Sequence, residues 1–107
     1  MKYKYGNFEI NQFIDYKKRL HSLIHWFLVY ADDNDPALGE YFIKVQYKLN
    51  GLNELLNYPT QLVEIINLVE SARIEYNKDK ENFNHKLFRK TFLDIHELID
   101  KIPVGDE

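Results

Sequence analysis

Four histidines, the arginines near them and one run of acids are the residues of this chain whose types and spacing could do chemistry. His21 and His25 stand four apart, which puts two imidazoles on one face of a helix, where they could share a metal ion. Two ligands fall short of a site, and the Glu-x-x-His pattern of carboxylate metal centres in helical bundles is absent. His85 and His96 are eleven apart, about three helical turns, so they share a side of a helix without converging on one ion. The two pairs could meet in an antiparallel bundle, yet the expectation is no bound metal, with His21 and His25 as the residues to watch. HELID, from His96 to Asp100, ends in an aspartate where a zinc-peptidase helix needs a second histidine. DDNDP, from Asp32 to Pro36, lacks both the glycine and the glutamate of a calcium loop, and Asp35 before Pro36 reads as a helix cap.

Arg89 and His96 are seven apart and nearly eclipsed on a helix. An imidazole near neutral pKa can pass a proton, and a guanidinium can grip a phosphate. The segment RKTFLDIH, from Arg89 to His96, resembles the R-x(4 to 6)-H signature of HEPN-type ribonucleases, which are small helical bundles. The resemblance covers this octapeptide alone and implies that Arg89 orients or neutralises the scissile phosphate while His96 transfers protons, across a dimer. Lys90 stands where that family often has Asn, Asp or His, and Arg19 with His25 satisfies the same spacing. A metal-independent, toxin-type ribonuclease is therefore the alternative reading.

The elements that must position these groups are helices. Phe13, Tyr16, Leu20, Ile24, Phe27 and Ala31 recur at steps of three and four, a single helical face. Leu38, Phe42, Val45, Leu49, Leu52 and Leu56 form a heptad-like seam closed by Pro59, because the residue before a proline is pushed out of helical angles. Leu62, Ile65, Ile66, Val69 and Ala72 mark a third helix, and Phe88, Phe92, Ile95, Ile99 and Ile102 a fourth. NKDKENFN, from Asn77 to Asn84, is polar and reads as a loop whose Asn82 or Asn84 caps the last helix. The pattern predicts an all-α fold: one domain over residues 1–107, an antiparallel up-down-up-down four-helix bundle with helices near 9–30, 36–58, 60–77 and 84–102.

Two surfaces then stand out. LIHWFLVY, from Leu23 to Tyr30, is apolar nearly all round, with Trp26 and Val29 away from the stripe through Leu20 and Phe27. On the second helix Asn50, Asn53 and Asn57 border the seam, and Gly51 falls almost opposite it with Tyr47, Glu54 and Tyr58. A helical glycine costs about 1 kcal/mol against alanine, and between two tyrosines it leaves a notch for an approaching chain. Trp26, Val29, Tyr47, Gly51, Glu54 and Tyr58 are the expected partner-binding residues, for a protein partner or a second copy in a homodimer.

Composition narrows the classes further. The 107 residues carry 45% hydrophobic and 15% aromatic side chains, enough for one core. A net charge of −3 with dispersed lysines argues against a phosphate-backbone binder, and Glu64, Glu70 and Glu75 against Arg73 deny the third helix a DNA-reading role. There is no cysteine, no phosphate-cradling glycine loop and no dinucleotide fingerprint, so no cofactor is expected. MKYKYGNFEI lacks a signal-peptide apolar run and no segment is apolar for membrane length, which makes the expected location cytoplasmic. The favoured function is a non-catalytic, self-associating interaction bundle.

Overall fold

A computed structural model of the chain describes residues 2–3, 6–7, 10–56 and 58–102, with side chains from residue 14 onward. Helices dominate: α1 Ile10–Asp32, α2 Leu38–Leu55, α3 Thr60–Lys78 and α4 His85–Lys101. Ahead of them the two-residue strands β1 Lys2–Tyr3 and β2 Gly6–Asn7 pair antiparallel. Two residues are too few for a period-two pattern to register, so this pairing was not legible in the sequence. The core lies among the helices, where α1 packs on α2 and α4, α2 on α3, and α3 on α4. Short connections between successive helices give the antiparallel four-helix arrangement.

Each helix buries the face its spacing predicts. Leu20, Ile24, Phe27 and Ala31 of α1 meet Leu38, Phe42, Val45, Leu49 and Leu52 of α2, and Leu56 just beyond its end is buried with them. Leu62, Ile65, Val69 and Ala72 of α3, with Phe88, Phe92, Ile95 and Ile99 of α4, complete the core. Its centre is aromatic: Phe27 lies 4.5 Å from Phe92 and 4.8 Å from Phe42, centroid to centroid. Such ring pairs add to what area burial alone contributes. The side chain of Phe13, placed on this face by its spacing, falls outside the described residues.

The connections correct two helix limits. After α1, Asn34 adopts a left-handed conformation with φ 51°, its N–H bonds to the Ala31 carbonyl and the Asp35 N–H to the Tyr30 carbonyl. This Schellman arrangement satisfies carbonyls that the helix end would otherwise orphan. DDND thus terminates α1, and the Asp35 carboxylate accepts the Ala37 N–H at 2.9 Å in a turn that carries Pro36. The start of α2 consequently moves from the expected Pro36 to Leu38. Its end moves from Tyr58 to Leu55, because the residue before Pro59 is driven out of the helical region. Tyr58 takes φ 60° and its N–H reaches back to the Asn53 carbonyl at 2.8 Å.

In the last connection Asn84, one of the two expected caps, accepts the Leu87 N–H at 3.0 Å. The loop before it is less polar in its role than in its composition. Phe83 is buried against Tyr76, Phe88 and His85.

Candidate docking groove and histidine relay

One member of each histidine pair meets the other across α1 and α4, His21 and His96. His21 Nδ1 lies 2.7 Å from His96 Nδ1, and His21 Nε2 lies 2.8 Å from Asp100 Oδ1. Antiparallel packing explains the register, since residues four apart on one helix face residues four apart on the other. One Nδ1 must carry the proton and the other accept it; with His21 neutral, His96 Nδ1–H donates to His21, whose Nε2–H donates to Asp100. Burial, then the nearby His21 and His25, hold the His96 imidazole below its ordinary value, against an opposing pull from Asp100. A turn away Lys17 donates to the Ile102 carbonyl at 2.7 Å and the Asp100 carbonyl at 3.3 Å, covering the C-terminal end of α4. Burial lowers the Lys17 pKa, partly offset by Asp100.

This row can hand a proton from ring to ring, and Arg89 stands apart from it. Arg89 forms an exposed ion pair with Asp32 at 3.2 Å and sits about 10 Å along α4 from His96. Each is bound up with α1 through a different partner. His25 is exposed, His85 stacks on Phe83 with centroids 4.1 Å apart, and His21 turns to α4 rather than to His25. Among the described residues no group of three or more His, Asp or Glu is disposed to hold a metal ion.

A hollow lies elsewhere, between α1 and α2, with a volume of about 780 Å³. Near their connection these helices are held by aromatic contacts: Tyr41 packs edge-on against Phe27 and 5.0 Å from Tyr30, and its hydroxyl donates to the Leu23 carbonyl at 2.6 Å. Burial of that phenol, with Tyr30 beside it, raises its pKa to about 12. Farther from the connection the facing side chains shorten to Ser22 and Gly51, and the groove opens. Leu20, Leu23, Leu52 and Leu55 form its floor, with Trp26 and Tyr47 as aromatic walls. Lys18, Arg19 and Lys48 stand around it, and no carboxylate among the described residues lines it. Among the described residues a Cβ added to Gly51 would meet nothing within 4 Å.

Of the six expected partner-binding residues the groove unites Trp26, Tyr47 and Gly51. Trp26 is 49% exposed, Tyr47 82% and Tyr58 57%. Tyr58 sits at the α2–α3 turn, exposed Glu54 lies outside the groove lining, and Val29 is half-buried and also apart from it. In the asparagine stripe Asn50 is exposed and Asn53 buried with its Oδ1 unpaired, while Asn57 lies outside the described residues. The three rim cations were missed, although Arg19, Ser22, Leu23 and Trp26 follow steps of three, one and three that mark a stripe beside the core face.

A second, smaller hollow of about 300 Å³ runs between α3, α4 and the loop at Phe83. Neither hollow is lined by Arg89 or His96. No helix among the described residues is long and apolar enough to cross a membrane. Compared with known proteins, the chain matches no family model, no curated protein and no solved structure.

Proposed function

We propose that this chain is a non-catalytic interaction bundle that receives part of another protein in the α1–α2 groove. The observation that carries this reading is the coincidence of an apolar floor, two exposed aromatic rings and an unfilled glycine notch in one hollow. Rigid aromatic rings around an apolar depression are what protein interfaces use for anchoring. The glycine is the sharper clue. It lowers helix stability, and none of the described residues fills the space it leaves. A homodimer burying Trp26 and Val29 is the competing form of this reading.

The test is retention of partners from the native cell by wild type and by Gly51→Trp, whose indole would fill the notch. Loss of a specific partner with the thermal midpoint unchanged is the expected outcome. Equal retention by both proteins would count against the groove. Ribonuclease activity that disappears with His96→Ala would replace the binding reading altogether.

A further inference from the structure

We propose that the occupant of the α1–α2 groove is an acidic amphipathic helix of a partner protein, an inference that rests on the groove being a docking surface. Length sets the first condition. The lining runs from Tyr16 to Trp26 on α1 and from Tyr47 to Leu55 on α2, so the groove is about 15 Å long and takes about three turns of a helix. A helix laid there offers apolar residues at i, i+3, i+4 and i+7 to the leucine floor.

Charge sets the second condition. Lys18 and Arg19 stand on the α1 side and Lys48 on the α2 side, so a helix lying between them passes cations on both flanks. Among the described residues none of the three is paired with a carboxylate. The chain as a whole carries a net charge of −3, which makes this concentration of positive charge a local feature. Glutamates or aspartates flanking the apolar stripe of the incoming helix complement it, and like charges repel. The same argument disfavours a second copy seated groove to groove, because a two-fold interface brings each cation towards the cations of its twin.

The test uses the full chain and two dye-labelled synthetic amphipathic peptides of about four helical turns. Both present the same leucine face, one flanked by glutamates and the other by lysines. Anisotropy titrations should give the acidic peptide at least about ten-fold tighter binding, a gap that shrinks at about 0.5 M salt. The preference should reverse in the Lys18→Glu, Arg19→Glu, Lys48→Glu triple variant, or narrow in Lys48→Glu alone if the triple variant does not fold. Equal binding of both peptides would overturn the acidic-helix inference while leaving the groove as a docking surface. Binding of neither, with a wild-type chain that sediments as a monomer, would overturn both. A concentration-dependent dimer abolished by Gly51→Trp would identify a second copy as the occupant and overturn the inference.

Discussion

His96 is held below the ordinary histidine value of 6.5 by burial and by neighbouring imidazoles, which gives the fold a pH dependence of definite sign. Between the lowered folded value and the unfolded one the unfolded chain binds a proton that the folded chain refuses, so stability rises with pH across that window. The contribution is complete above about 6.5 and declines as the solution is acidified below it. Thermal midpoints measured from about pH 5 to 7 should therefore climb in wild type and climb less in His96→Leu. Identical profiles would show that the relay is irrelevant to stability. Gly51 gives a second residue-scale prediction: Gly51→Ala should raise urea-unfolding stability by about 1 kcal/mol, since alanine is the better helix former and its methyl enters open space. A decrease would mean that the α2 backbone needs glycine there.

At the scale of elements, the α3–α4 loop is an anchored segment with a polar exterior. Phe83→Ala should cost about 3 kcal/mol in urea unfolding, the range for emptying a buried phenylalanine site. Asn84→Ala should cost about 1 kcal/mol through loss of the α4 cap. Similar small losses for both would mean that Phe83 contributes little to the core. The sequence contained Phe83, but one ring inside NKDKENFN has no periodic neighbours to mark it as buried, and its partners Tyr76 and Phe88 come from separate helices. The four helices were legible for the opposite reason. Steps of three and four repeated through Phe42, Val45, Leu49 and Leu52, or Phe88, Phe92, Ile95 and Ile99, leave one packing face for each helix. Their ends were harder to read, because Asn34 and Tyr58 adopt positive φ through hydrogen bonds to carbonyls upstream that sequence spacing does not reveal.

For the whole molecule, function depends on which side chains the bundle brings together from distant positions. Trp26 and Tyr47 were each recognisable as displaced from a core stripe, yet only the packing of α1 beside α2 brings them into one groove. The His21–His96 contact likewise needed the antiparallel register, and the same register pairs Arg89 with Asp32. Trp26 is the single tryptophan of the chain and lies in the groove wall, so it reports on occupancy directly. The decisive measurement is acrylamide quenching of Trp26 emission with and without the acidic amphipathic peptide at saturating concentration. A docked helix should shield the indole, shift its emission to the blue and reduce quenching severalfold. Binding that leaves the emission and quenching of Trp26 unchanged would place the partner on another face and contradict the groove as the working surface of this protein.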